Sequence, residues 1–96
     1  MTSKQRSYLK GLAMNIEPIF QIGKSSITPE YTNAIREAFN TKELIKISVL
    51  KNCLDDPKEI AIVLADRTGS QVVQVIGKKI VLYKPDDKNP KILLPL

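Results

Sequence analysis

Apolar positions recur along the chain with two different periods, and the switches between them mark out seven elements. From Ser3 to about Met14, Tyr8, Leu9, Leu12 and Ala13 fall within one arc of about 140°, the spacing of an amphipathic helix. Lys4, Arg6, Ser7, Lys10 and Gly11 fill the opposite arc, and Thr2 with Gln5 has capping-box spacing at the start. Glu17 to Ile22 is a short apolar run with Pro18 near its beginning, where a strand tolerates a missing donor. After a loop at Gly23-Lys24-Ser25-Ser26, Thr28 as N-cap and Pro29 in the first turn open a second helix to about Phe39. Its inward stripe is Tyr31, Ala34, Ile35, Ala38 and Phe39. Glu43 to Leu50 switches to period two, with Ile45, Ile47 and Val49 on one face. Asp56, Pro57 and Glu59 supply a cap, a first-turn proline and a capping-box acid for a third helix, which runs to about Thr68 and stops at Gly69. Val72 to Ile76 and Ile80 to Tyr83 then read as a hairpin turning at Gly77-Lys78.

The order α-β-α-β-α-β-β predicts an α/β fold: one compact domain over residues 1–96, a mixed sheet covered by helices. The expected core spans about residues 3–84. The tail 85–96 holds three prolines and reads as irregular, with Ile92, Leu93 and Leu94 free to dock back on the sheet.

Composition adds mainly exclusions. At 43% hydrophobic and 26% charged, the 96 residues describe an ordinary folded chain. Histidine is absent, which removes Ser-His-Asp and Cys-His catalysis and most zinc sites. The single cysteine, Cys53, excludes an internal disulfide and has no neighbour with which to form a reactive site. Asp55, Asp56 and Glu59 resemble a metal cluster, but capping accounts for Asp56 and Glu59. The expectation is a binding protein with no catalytic residue, metal, cofactor or small-molecule substrate. No signal peptide or membrane span is legible, and with a reduced thiol this predicts a cytoplasmic location.

The net charge of +5 is distributed unevenly. Residues 1–16 carry +3, residues 17–75 carry −1 and residues 76–96 carry +3. Basic ends on a slightly acidic scaffold attract polyanions, although the same charge also serves solubility. Lys4, Arg6 and Lys10 are either a solvated face or a phosphate-binding one. Small Ser7 and Gly11 between them let a phosphate backbone lie close. The Gly23–Ser26 loop is either a plain turn or an anion site, since Lys24 and two hydroxyls precede a helix N-terminus. Lys78 and Lys79 blunt a sheet edge, aid solubility, or serve as additional contacts to a nucleic-acid backbone. Tyr8, Tyr31 and Tyr83 all read as packing residues, so recognition is expected to lean on backbone charge and shape rather than base stacking.

Three segments carry a family resemblance: KQRSYLKGLA at residues 4–13, PIFQIGKSSIT at 18–28 and RTGSQVVQVIGKKIVLYKP at 67–85. With the ELIKI strand between them, the chain resembles the CRM domain, in its small stand-alone bacterial YhbY-like form. The resemblance implies a mixed four-stranded sheet packed by three helices, and an RNA-binding role on precursors of the large ribosomal subunit during assembly. It also implies a GxxG loop comparable to the phosphate clamp of KH domains. Here Ser26 stands where that loop has its last glycine, and its Cβ limits close backbone approach. The residues expected to meet RNA are thus Lys4, Arg6, Lys10, Gly23, Lys24, Ser25 and Ser26, on a protein expected to be monomeric. The competing expectation is an adaptor that docks on a ribosomal protein through an apolar patch around Ile92–Leu94, without touching RNA.

Overall fold

The elements of the computed structural model, which describes residues 1–96, are α1 (Ser3–Ala13), β1 (Phe20–Ile22), α2 (Pro29–Ala38), β2 (Leu44–Val49), α3 (Pro57–Thr68), β3 (Gln71–Ile76) and β4 (Lys79–Tyr83). Both halves of the first capping box form: Thr2 Oγ1 accepts from the Gln5 amide at 3.1 Å and Gln5 Oε1 from the Thr2 amide at 2.9 Å. Thr28 Oγ1 caps α2 by accepting from the Tyr31 amide at 3.2 Å. Asp56 caps α3 through the Lys58 amide at 3.0 Å, but the expected return bond from Glu59 is replaced by a place in a shallow groove beside Ser26 and Asp55. Gly69 ends α3 at φ 70°, a left-handed cap that costs glycine nothing sterically. Two cations sit at that negative helix end: Arg36 donates twice to the Arg67 carbonyl (2.6 and 3.1 Å) and Lys84 once to that of Thr68 (3.1 Å).

The strands form one sheet in the order β1-β2-β4-β3. β1 runs parallel to β2, while β4 is antiparallel to both β2 and β3. β1 is shorter than its apolar run because Pro18 has no amide to donate, and pairing begins only with the Ile19 amide on the Lys46 carbonyl (3.0 Å).

Period-two alternation divides the side chains between two faces. Ile45, Ile47 and Val49 of β2, with Ile80 and Leu82 of β4, pack against Ile35 and Phe39 of α2 and Ile60, Ala61 and Leu64 of α3. The buried Cys53 belongs to this same cluster and fills space there. Leu44, Val73, Val81 and Tyr83 point the other way, onto Leu9 and Ala13 of α1. The result is three layers, with α2 and α3 on one face and α1 on the other.

One placement differs from the sequence expectation. The buried face of α1 is centred on Leu9 and Ala13, so Tyr8 falls outside it and is 44% exposed. The helix is turned this way because Arg6 is drawn down to the edge strand: its Nη1 donates to the carbonyls of Val72 (2.6 Å) and Val73 (2.8 Å), where β3 bulges. The tail, without a regular element of its own, is tied onto this face. Glu43 accepts from the amides of Asp86 (2.8 Å), Lys91 (2.7 Å) and Ile92 (2.7 Å), and this lays Ile92 and Leu94 onto the α1-side cluster. Leu93 alone of the three points outward.

Candidate nucleic-acid interface

Strand direction decides which loops meet. β1 ends at Ile22, β2 at Val49 and β3 at Ile76, and β4 begins at Lys79, all at one end of the sheet. The Leu50 amide donates to the Ile22 carbonyl (2.8 Å) and the Val49 amide to the Lys78 carbonyl (2.7 Å), which locks the three connections side by side. That end therefore gathers Lys24 from the β1–α2 loop, Lys51 from the β2–α3 turn, and Lys78 and Lys79 from the hairpin. Lys24, Lys51, Lys78 and Lys79 are all exposed. Lys79 Nζ donates to Ser48 Oγ (2.8 Å), which holds one ammonium close to the sheet while leaving it two further protons. Asp55, Asp56 and Glu59 lie at the same end, on the α3 side.

Gly23–Ser26 is a turn closed by the Ser26 amide on the Gly23 carbonyl (2.9 Å). Ser26 adopts φ 55°, the left-handed region that favours glycine. This explains in backbone terms why the resemblance expects glycine at that position. Gly23 needs no unusual φ; a Cβ there would stand 3.4 Å from Asn52 Oδ1, a contact that asks for a small shift. Ser26 also lines a shallow groove with Asp55 and Glu59, whose negative charge disfavours phosphate on that side. Lys24 and Ser25 face solvent and are the better placed pair. Replacing Ser26 with glycine is expected to raise unfolding free energy by roughly 0.5–1 kcal/mol, relief of left-handed strain partly offset by unfolded-state entropy. A urea midpoint at or below that of the parent would contradict this.

The basic arc of α1 is not part of the same cluster. α1 covers Leu44, Val73, Val81 and Tyr83, the half of the sheet remote from the loops. Lys4 projects outward there with Ser7, Tyr8 and Gly11, and a Cβ on Gly11 would meet nothing within 4 Å. Arg6 is committed to β3, so it positions α1 rather than standing free for phosphate. Lys10 lies on the flank of α1 away from the tail, since Gln5, on the other flank, donates to the Pro95 carbonyl (3.1 Å). Of the expected contacts the structure thus unites Lys24 and Ser25 with Lys78 and Lys79, and leaves Lys4 and Lys10 on a second surface. Lys51 was missed because a lone lysine in a turn carries no periodicity; only strand order reveals its neighbours.

Residues 1–84 match the family profile of the CRS1/YhbY (CRM) domain. The chain belongs to this family. Among CRM relatives, it is 43% identical over 99% of both chains to a Bacillus subtilis protein named "Probable RNA-binding protein YqeI". It is 34% identical to a Haemophilus influenzae protein named "RNA-binding protein", covering 99% of this chain and 95% of the other. The solution structure of Staphylococcus aureus SAV1595, described there as a candidate RNA binder, superposes with a TM-score of 0.83 at 47% identity and 99% coverage of each chain. The three helices and four-stranded mixed sheet anticipated for a CRM domain are therefore present. No group of three or more His, Cys, Asp or Glu side chains assembles as a metal site, and no helix is long and apolar enough to cross a membrane.

Proposed function

We propose that this protein binds RNA chiefly through its phosphates and acts, without catalysing a reaction, on precursors of the large ribosomal subunit. The observation that carries the reading is the convergence of Lys24, Lys51, Lys78 and Lys79 at one end of the sheet, from three connections far apart in sequence. Like charges gathered at one end of the sheet repel one another unless an anion shares them. The names of the CRM relatives support RNA as that anion. Lys4 and Lys10 add a second basic surface, and Ser25 a hydroxyl beside Lys24. The adaptor reading loses its main support because Ile92 and Leu94, two members of its apolar patch, are packed against α1 and the sheet.

Crosslinking in cells followed by sequencing of the attached RNA is expected to recover large-subunit ribosomal RNA. Recovery of other RNA alone would remove the ribosomal assignment. In vitro, four to five neutralised phosphates on a single strand predict a log–log salt slope of about −3 to −3.5. A flat salt response would dispose of the phosphate mechanism.

A further inference from the structure

The sheet face that carries α1 is only half covered. Pairing aligns its side chains in rows across the strands: Leu44 with Tyr83 and Gln71, then Lys46 with Val81 and Gln74, then Gln21, Ser48, Lys79 and Ile76. α1 and the tail cover Leu44 and Tyr83 of the first row, leaving Gln71 exposed at the β3 edge, and reach Val81 in the second, which is 3% exposed. Nothing covers the third. Gln21 and Lys79 are exposed, Ile76 is 60% exposed, and Ser48 is shielded beside the Lys79 ammonium that it binds. This bare row runs from the β1 edge to the β3 edge, with Lys78 beyond it in the hairpin turn.

Resting on the RNA-binding reading above, we infer that this row, with Lys46 and Gln74 of the half-covered row beside it, is a ledge that seats one unpaired RNA strand, with Lys46 and Lys79 meeting phosphates, Gln21 and Gln74 meeting base edges, and Ile76 giving a base an apolar contact. The dimensions select a single strand. Adjacent rows on one face are about 7 Å apart, and α1 stands on the sheet as a wall about 10 Å thick. A duplex is too wide to lie in a step one row deep, whereas a single strand fits. Three inter-strand spacings give the ledge a length of about 14 Å, which is roughly four nucleotides at helical rise. The chemistry agrees with the dimensions: amides that both donate and accept and an uncovered isoleucine are of use to exposed bases and of little use to a duplex backbone, while the two cations meet the strand's phosphates. Glu17 shares a groove with Lys46 and Ile19 near the β1 edge.

The test compares an unstructured eight-nucleotide RNA with an RNA duplex of the same length by fluorescence anisotropy. Ile76→Asp and Lys46→Gln are the variants, and thermal melts establish that each folds. Ile76 is exposed, so placing a carboxylate there repels phosphate without opening the core. Ile76→Asp is expected to bind the single strand about ten-fold more weakly and Lys46→Gln about five-fold, with the duplex within about two-fold of the parent for both. Equal losses on both RNAs would overturn the selection of a single strand. No loss on either RNA, with the parent binding well, would take the ledge out of the binding path and leave the RNA-binding reading standing. A parent that binds neither RNA would overturn that reading itself, and the ledge with it.

Discussion

Replacing Glu43 with alanine is expected to release the C-terminal tail and to cost about 2–4 kcal/mol of stability, near the upper end for a single side chain. Glu43 immediately precedes β2, is only 5% exposed, and offers one oxygen to Asp86 and the other to both Lys91 and Ile92. Its own carbonyl also accepts from the Lys84 amide at 2.9 Å. Charge-assisted bonds of this kind are worth roughly 1.5–3 kcal/mol each when broken in place. The tail can leave and be hydrated, which limits the penalty to the lost docking of Ile92 and Leu94 and the exposure of the cluster beneath them. Glu43→Gln should be milder, because an amide keeps one acceptor oxygen for these donors, although its NH2 then faces amides that are themselves donors. Urea unfolding gives the cost, and amide exchange at Asp86, Lys91 and Ile92 shows whether the tail has detached. Slow exchange at all three in the alanine variant would contradict the anchoring role.

The same carboxylate sets an acid limit on the tail. Burial alone would push its pKa upward, but the amides of Asp86, Ile92 and Lys91 outweigh that and hold it below the ordinary glutamate value. A depressed native pKa means that the stabilisation is fully present above the unfolded value, about 4.3, and drains away as pH falls through the lower native one. Asp86, held low by the amides of Lys88 and Asn89, acts in the same direction. Tyr83, beneath α1, has its pKa raised by burial and by the negative charge of Glu43, so near neutrality it remains an uncharged core residue.

Glu43 also shows where reading a sequence stops. The helices were legible because caps and terminators are local: Thr2 with Gln5, Thr28 with Pro29, and Gly69 act within a turn of where they stand. The strands were legible from alternation, down to the face shared by Ile45, Ile47 and Val49. Glu43, at the foot of the ELIKI run, looks like one more surface acid, because its partners lie more than forty residues downstream. Arg6 misled for the same reason. Its place on the wheel put it with the free bases, and only the bulge in β3, a feature without a sequence signal here, turns its guanidinium inward and takes Tyr8 out of the core. The candidate interface was half visible. The resemblance supplied the Gly23–Ser26 loop, but the lysines around it become neighbours only once β4 inserts between β2 and β3.

Neutralising that lysine end is expected to have the largest effect on binding. With Lys24, Lys51, Lys78 and Lys79 all changed to glutamine, four phosphate contacts disappear. Counterion release assigns each about 0.7 of a unit in the salt slope on single-stranded RNA, so the slope should flatten by about 3. At about 0.1 M salt the same arithmetic weakens binding by several hundred-fold. Changing Lys4 and Lys10 together removes two contacts at most and should cost no more than about 25-fold. Stability separates these losses from unfolding. The four lysines are exposed, their charges repel, and the internal side-chain bond lost is that of Lys79 to Ser48. Surface changes of this kind fall within about 0.5 kcal/mol, and relief of repulsion favours the variant. Arg6→Ala should behave in the opposite way, losing stability by freeing the Val72 and Val73 carbonyls while the salt slope hardly moves. If the quadruple variant kept its slope while the α1 variant lost it, the phosphate-binding centre would lie on α1, and the convergence of three loops would be a matter of folding alone.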